Sequence, residues 1–106
     1  MSSVVRDLTA EEVARGLEDG KIILVDVREP NETALERIPG SVLIPMSSFD
    51  VDEIPNPGTR AVVFSCRSGN RSVKASQMAQ AAGLPYDAHL AGGIIAWKAA
   101  GFPTEQ

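Results

Sequence analysis

The chain has 106 residues, of which 43% are hydrophobic, and this length and composition are typical of one small globular domain. Its single cysteine excludes an internal disulfide, and with a single histidine it leaves too few ligands for the usual structural zinc sites. The net charge of −4 argues against general nucleic-acid binding. The longest apolar runs, "IILV" and "AVVF", are too short to span a membrane, and the first residues lack the basic and apolar regions of a signal peptide. We therefore expect a soluble, cytoplasmic protein that binds neither membranes nor nucleic acids.

The first elements in the chain are a helix and a buried strand. In "LTAEEVARGLEDG", Thr9 and Glu12 have the spacing of a capping box, and Leu8 and Val13 have that of a hydrophobic staple. Gly20 is suited to end this helix. The continuous apolar and β-branched run in "KIILVDV" then predicts a strand that is buried on both faces.

The next part of the chain contains several prolines and predicts only short elements. Pro30 can open a helix that continues to about Arg37. Residues 41–44 predict a short strand that ends at Pro45, and residues 47–54 predict one or two helical turns. The stretch "PNPG" then predicts a loop before the second strong strand signal, "RAVVFS".

The second half of the chain continues the alternation of strands and helices. Residues 72–83 are rich in small side chains and predict a helix that ends at Gly83. Residues 85–90 predict a last strand, and residues 94–101 a short helix after the turn "AGG". This order predicts an α/β fold with a parallel sheet and helices on both faces. In such sheets ligands bind beyond the carboxyl ends of the strands, which is where Cys66 falls.

Charge is distributed unevenly along the chain. Residues 1–53 contain twelve acids and five bases, whereas residues 54–106 contain two acids and five bases. Residues 59–86 contain no acid, and they include four bases: Arg60, Arg67, Arg71 and Lys74. Cys66 therefore lies in a locally positive segment whose field would attract an anion, although a segment of this kind can also arise by chance in a short chain.

The stretch "SCRSGNRS" places Cys66 between a strand and a predicted helix start. Backbone N–H groups at a helix start have no partner within the helix, and the helix dipole is positive there. Gly69 allows successive amides to turn inward and form an anion nest. With Arg67 and Arg71 this nest would lower the pKa of the thiol and make Cys66 a nucleophilic thiolate. The alternative is a small buried cysteine without reactivity, which the polar and basic neighbours of Cys66 disfavour.

The spacing within this loop distinguishes two kinds of chemistry. In a cysteine phosphatase, five residues separate the nucleophile from the arginine that clamps the phosphate. Here only four residues separate Cys66 from Arg71, so the loop is one residue shorter. A tetrahedral phosphate would fit the shorter loop poorly, whereas a persulfide adds only one sulfur atom above the cysteine. We therefore favour sulfur chemistry, with a phosphatase or arsenate reductase and a binding module with an idle site as the alternatives.

Four blocks of the sequence together resemble the single-domain rhodaneses, or rhodanese-like sulfurtransferases. These blocks are "LVDVREPNE", "IPGSVLIP", "CRSGNRS" and "LAGGIIAWKAAGFP", and they occur in the order and spacing of that family. The resemblance implies a single domain over residues 1–106, with its core over about residues 8–103. It also implies a rhodanese-like three-layer sandwich, in which helices cover both faces of a mostly parallel sheet of about five strands.

The resemblance further implies an enzyme of the thiosulfate sulfurtransferase type. Cys66 would attack the outer sulfur of a donor such as thiosulfate, release sulfite and carry a persulfide, from which cyanide or a thiol removes the sulfur. No cofactor and no metal are needed. The expected partners are a small anionic sulfur donor and a thiol acceptor, which is a small molecule or a thioredoxin-like protein, and the chain is expected to be a monomer. The alternative is a module that relays sulfur between proteins and turns over thiosulfate only incidentally.

The resemblance assigns roles to the residues of the loop. The persulfide would be held by the backbone of six residues: Arg67, Ser68, Gly69, Asn70, Arg71 and Ser72. The side chain of Arg67 would dock the doubly charged donor, and that of Arg71 would do the same or cap the pocket. Gly69 would supply the turn, and Ser72 would begin the helix.

Residues outside the loop are expected to have structural roles. We expect Asp26 and Arg28 to fix the loop by hydrogen bonds, and Trp97 to lie in the core. His89 is interpreted as structural, because the sequence shows no partner that would make it a base. Three positions depart from the aromatic residue, glycine and histidine that are usual in the family: Thr33, Glu36 and Arg37. No preference for a donor or an acceptor is therefore carried over from the family.

Overall fold

Five strands form one sheet in the structure, a computed structural model that describes residues 4–106. The first three residues belong to the predicted domain 1–106 and to the N-terminal segment that we expect not to be a signal peptide, and they lie outside the described residues. The strands are β1 (Arg6–Leu8), β2 (Ile22–Asp26), β3 (Val42–Leu43), β4 (Ala61–Ser65) and β5 (Ala88–Leu90). Their order across the sheet is β1-β5-β4-β2-β3, and these neighbours all pair in parallel.

Four α-helices connect or follow these strands. They are α1 (Ala10–Glu18), α2 (Pro30–Thr33), α3 (Asn70–Ala81) and α4 (Gly93–Ala99). The one or two helical turns predicted for residues 47–54 are confirmed as two short 3-10 helices, Met46–Ser48 and Val51–Glu53. In the part of the chain that the structure covers, residues 4–106, every helix is too short or too polar to cross a membrane.

Helices cover both faces of the sheet, and each face has its own core. The α1/α4 face is the side of the sheet on which α1 and α4 pack, and its core includes Val13, Leu24, Val63, Leu90 and Trp97. The α3 face is the opposite side, and its core includes Val25, Val62, Phe64, Cys66 and Ala75. The predicted α/β fold with about five parallel strands and helices on both faces is therefore confirmed, as is the core position of Trp97.

The alternation of side chains along β4 explains where the cysteine points. Successive residues of a strand face opposite sides of the sheet, so Val63 packs on the α1/α4 face while Val62 and Phe64 pack on the α3 face. One step beyond the end of β4, the same alternation directs Cys66 to the α3 face. The fold therefore aims the thiol at α3.

The predicted start of α1 is confirmed. The hydroxyl of Thr9 accepts a hydrogen bond from the N–H of Glu12 at 3.1 Å, and the carboxylate of Glu12 accepts one from the N–H of Thr9 at 3.0 Å. This reciprocal capping box satisfies two backbone donors at the helix start.

Several elements differ from the sequence prediction. The strand β1 has no matching strand signal, because its three residues are largely exposed and the pairing with β5 decides its conformation. The predicted helix over residues 30–37 ends at Thr33, since the chain turns to place the Glu36 carbonyl 2.9 Å from the guanidinium of Arg28. The helix predicted over 72–83 begins two residues earlier, at Asn70.

Candidate active site

The loop around Cys66 joins the carboxyl end of β4 to the start of α3. Gly69 is the residue before α3 and has a φ of +109°, a left-handed conformation that favours glycine. A Cβ atom on Gly69 would also lie 3.3 Å from the backbone nitrogen of Gly92. The turn at Gly69 brings the first turn of α3, including Ser72, back toward the sulfur. Ser72 is therefore the third residue of α3, whereas the prediction made it the first.

Backbone N–H groups at the start of α3 point at the sulfur of Cys66. The Gly69 N–H donates to Sγ at 3.1 Å and the Ser72 N–H donates at 3.4 Å. The hydroxyl oxygen of Ser72 lies 3.5 Å from the same sulfur. Cys66 itself is only 1% exposed. The arrangement is an amide nest at the positive end of a helix, and it suits an anionic sulfur.

These hydrogen bonds determine the direction in which the thiol is perturbed. Burial raises the pKa of the Cys66 thiol, but hydrogen bonds from the Ser72 hydroxyl and from the N–H groups of Ser72, Gly69 and Ser68 outweigh it. The pKa of Cys66 therefore lies below its ordinary value. The lowering comes chiefly from hydrogen bonds, whereas the sequence interpretation also relied on the charges of Arg67 and Arg71.

The start of α4 holds the outer side of the loop. The N–H of Ile94 donates to the carbonyl of Cys66 at 2.9 Å, and the N–H of Ile95 donates to that of Arg67 at 3.2 Å. A Cβ atom on Gly93 would overlap the carbonyl oxygens of Cys66 and Arg67, so this close approach requires glycine. The loop carbonyls are thus bonded toward α4 while the loop amides face the sulfur.

The two arginines of the loop have different surroundings. Arg71 is bound through both terminal nitrogens to the carboxylate of Glu32, at 2.7 and 3.0 Å. The hydrogen bond from Arg71 is the main cause that lowers the pKa of Glu32 to about 2. Arg67 is exposed and lines a groove of about 240 Å³ together with Lys98. The structure therefore leaves Arg67 facing the groove and engages Arg71 in an ion pair that the sequence did not reveal.

The remaining loop residues are divided by their exposure. Gly69 and Ser72 are buried beside the sulfur, whereas the side chains of Ser68 and Asn70 are exposed. Of the six residues predicted to hold the sulfur through their backbone, Gly69 and Ser72 donate N–H groups to Sγ, and the side chain of Asn70 lies at the surface.

The hydrogen bonds expected of Asp26 and Arg28 are present. The Arg28 N–H donates to the Asp26 carboxylate at 2.9 Å, and the Arg28 guanidinium donates to both oxygens of the same carboxylate at 2.9–3.2 Å. Both side chains are about 5% exposed or less. This buried pair closes the loop that follows β2, next to the loop of Cys66.

His89 has two partners that the sequence interpretation missed. Its Nδ1 atom lies 2.8 Å from the hydroxyl oxygen of Ser72, and its Nε2 atom lies 2.7 Å from a carboxylate oxygen of Asp7. The parallel pairing of β1 with β5 sets Asp7 opposite His89. A sequence signal for this contact would have required recognition of β1 as a strand.

Comparison with known proteins supports one family over most of the chain. The family model for the rhodanese-like domain matches residues 9–100. A sulfurtransferase of Allochromatium vinosum is 36% identical over 101 residues, which cover 94% of each chain. An uncharacterised protein of Synechocystis is 42% identical over 83 residues, 78% of this chain, and that match spans only 46% of the cyanobacterial protein.

Solved structures agree with this assignment. The crystal structure of a thiosulfate sulfurtransferase from Pseudomonas aeruginosa superposes with a TM-score of 0.83 and 28% identity, covering 96% of this chain and 20% of that one. The family match, the relative of the same length and the shared fold agree with the loop geometry described above. The chain belongs to the family of rhodanese-like domains, the rhodanese-like sulfurtransferases.

Proposed function

We propose that this protein is a sulfurtransferase that carries sulfane sulfur as a persulfide on Cys66, with thiosulfate or a similar anion as donor. The observation that carries the proposal is the pair of backbone N–H groups, from Gly69 and Ser72, that point at the sulfur at 3.1 and 3.4 Å. The P. aeruginosa structure of similar fold is that of a thiosulfate sulfurtransferase, which supports this choice of donor. No cofactor takes part in the reaction.

The first half of the reaction forms the persulfide. The thiolate of Cys66 attacks the outer sulfur of thiosulfate, the sulfur–sulfur bond of the donor breaks, and its electron pair leaves with sulfite. Arg67, beside the groove, docks the charged end of the donor. Because Cys66 is 1% exposed, the donor reaches it with a single sulfur atom rather than with a bulky group.

The second half returns the enzyme to its starting state. A thiolate or cyanide attacks the outer sulfur of the persulfide, and the electron pair of the broken bond restores the Cys66 thiolate. The amides that face Sγ stabilise the negative charge on sulfur in both halves of the cycle. The N–H groups that face Sγ belong to the same chain as Cys66, and we propose that the enzyme acts as a monomer. We place it in the cytoplasm, where thiols stay reduced.

Intact-mass measurement after incubation with thiosulfate tests this proposal. The wild-type protein is expected to gain the mass of one sulfur atom, and to lose it again when cyanide or a thiol is added. The Cys66→Ser variant is the matched control and is expected to gain nothing. A wild-type protein without the added sulfur, or an addition that survives in the control, would contradict the proposal. Cys66-dependent hydrolysis of an aryl phosphate would instead favour the phosphatase alternative.

A second candidate function is the relay of sulfur between proteins, and one surface feature favours it. Leu35 is 74% exposed and Ile95 is 47% exposed, and both line the groove beside Arg67. Exposed apolar side chains at the rim of a site suit a protein donor or acceptor such as a thioredoxin-like one. Leu35→Ser and Ile95→Ser are expected to slow sulfur exchange with a persulfide-bearing protein and to leave the reaction with thiosulfate unchanged. Met78→Ser, at another exposed apolar residue, is the control.

A further inference from the structure

A line of four hydrogen-bonding side chains runs from the nucleophile to the protein surface. Ser72 Oγ lies 3.5 Å from Cys66 Sγ and 2.8 Å from His89 Nδ1, and His89 Nε2 lies 2.7 Å from Asp7. Cys66, Ser72 and His89 are buried, with 1%, 0% and 4% of their surface exposed. The Asp7 side chain, at the outer end, is 74% exposed. The line therefore connects a buried thiol to a carboxylate in contact with solvent.

Three elements of the fold hold this line together. Asp7 lies on β1 and pairs in register with His89 on β5. Ala88 and Leu90, the neighbours of His89, pack in the α1/α4 core, so the imidazole points to the α3 face. The first turn of α3 then places Ser72 between the imidazole and the sulfur. The contacts thus follow from the sheet register and the start of α3.

The chemistry of the partners determines where the protons lie. A carboxylate only accepts hydrogen bonds, so the Nε2 atom of His89 carries a hydrogen and, in the neutral imidazole, Nδ1 has a free lone pair. The single hydroxyl proton of Ser72 has two acceptors within reach, Nδ1 of His89 at 2.8 Å and the carbonyl oxygen of Gly69 at 3.2 Å, and the shorter contact assigns it to Nδ1. The Ser72 oxygen is left to accept the S–H of Cys66.

We propose that His89 is a positioning residue that takes up the proton of the Cys66 thiol through Ser72. The S–H proton moves to the Ser72 oxygen while the hydroxyl proton of Ser72 moves to Nδ1 of His89. The products are the Cys66 thiolate, an intact Ser72 hydroxyl that donates to it, and an imidazolium that faces the carboxylate of Asp7. The inference rests on the proposed function, for which this step supplies the attacking thiolate.

Other charged groups near the site do not take part in this exchange. Arg71 approaches Cys66 from α3 and is bonded to Glu32 from α2. Asp26 and Arg28 form their own buried pair at the end of β2. These ion pairs are the same whether the proton lies on Cys66 or on His89, so the groups that change charge are the thiol and the imidazole.

Titration of the thiolate by its ultraviolet absorbance tests the inference in His89→Asn and Asp7→Asn. An asparagine at position 89 can still hydrogen-bond to Ser72 but cannot take up a proton. Loss of the imidazolium is expected to raise the midpoint of thiolate formation by about one pH unit, which lowers the thiolate fraction at neutral pH about tenfold. Asp7→Asn is expected to raise the midpoint by a smaller amount, and because Asp7 is exposed this variant is expected to fold.

Asp87→Asn is the matched control, because Asp87 is a carboxylate beside the same two strands that is bound to Arg6 and not to His89. Its midpoint is expected to equal that of the wild type. Folded His89→Asn and Asp7→Asn variants that both keep the wild-type midpoint would overturn the inference. If His89→Asn does not fold, the midpoint of Asp7→Asn and nitrogen-15 NMR of the wild-type imidazole test the inference.

Nitrogen-15 NMR of the wild-type imidazole gives a signature that a structural histidine would not show. When Cys66 is a thiolate in the wild-type protein, the proposed transfer leaves protons on both ring nitrogens of His89. An unprotonated Nδ1 beside the thiolate would refute the relay. No sulfur donor is present in these titrations, so their failure leaves the proposed function standing. If the variants shift the midpoint of thiolate formation as expected but the wild-type protein gains no sulfur from thiosulfate, the proposed function is refuted instead.

Discussion

Two neighbouring loops at the carboxyl ends of β2 and β4 differ in the atoms that accept their backbone N–H groups. The strands β2 and β4 pair in register from Ile22↔Ala61 to Asp26↔Ser65, and each continues through a short loop into a helix. In the loop between β2 and α2, carboxylates accept the backbone N–H groups of Arg28 and Glu29. In the loop between β4 and α3, the sulfur of Cys66 accepts hydrogen bonds from the backbone N–H groups of Gly69 and Ser72.

The difference is that the first loop supplies its own carboxylates, whereas the second loop directs its N–H groups at a cysteine. The loop after β2 contains its own anions, and Arg28 balances the buried carboxylate of Asp26. The loop after β4 has glycine where a helix usually has a capping side chain, so the positive end of α3 is directed at a thiol. The second loop therefore suits an anionic sulfur, as the first loop suits a carboxylate.

The largest expected effect comes from breaking the first loop. Arg28→Leu leaves the buried carboxylate of Asp26 without its partner, and removal of one member of a buried ion pair costs about 3–5 kcal/mol in the free energy of unfolding. Urea denaturation measures this loss. Arg60→Leu removes an exposed arginine ahead of β4 and is expected to cost about 0.5 kcal/mol or less. Equal losses in the two variants would show that the buried pair has no special weight.

Gly69→Ala disturbs the second loop and has a smaller expected effect. The left-handed conformation at Gly69 and the nearby nitrogen of Gly92 together predict a loss of about 1–2 kcal/mol in the free energy of unfolding. Because the N–H of Gly69 points at the sulfur, the midpoint of thiolate formation is also expected to rise.

Gly83→Ala separates these two effects of the alanine substitution. Gly83 also has a positive φ, of +87°, but an added Cβ there meets no atom within 4 Å. This control is expected to lose similar backbone stability and to keep the wild-type midpoint. A rise of the midpoint in Gly83→Ala would mean that general destabilisation, and not the amide nest, shifts the thiol.

The sequence predicted the parts of the molecule that depend on local patterns. The apolar runs of β2 and β4 and the capping box of Thr9 and Glu12 are local signals, and each is confirmed. The position of Cys66 at the carboxyl end of β4 followed from the same kind of pattern. Local composition therefore indicated the central strands and the position of Cys66.

The contacts that complete the site join residues far apart in the chain. Glu32 and Arg71 are 39 positions apart, and Asp7 and His89 are 82 apart. The order of strands in the sheet brings these pairs together, and β1 adopts its strand because β5 offers it a partner. A short exposed segment such as "RDL" has no apolar pattern that predicts a strand, which is why the partners of His89 were missed.

The smallest effect expected is that of Glu32→Gln, which removes the ion pair between α2 and α3. The pKa of Glu32 is lowered from 4.5 to about 2 in the folded protein, so its contribution is complete above about pH 4.5 and is lost as the pH falls toward 2. Both side chains of the pair are partly exposed, and screening by solvent limits the expected loss at neutral pH to about 1 kcal/mol. Urea denaturation across this pH range should show the gap between wild type and variant closing toward pH 2. Glu18→Gln, at an exposed glutamate of α1, is the control. A gap that stayed constant with pH would show that the ionised carboxylate of Glu32 does not stabilise the contact between α2 and α3.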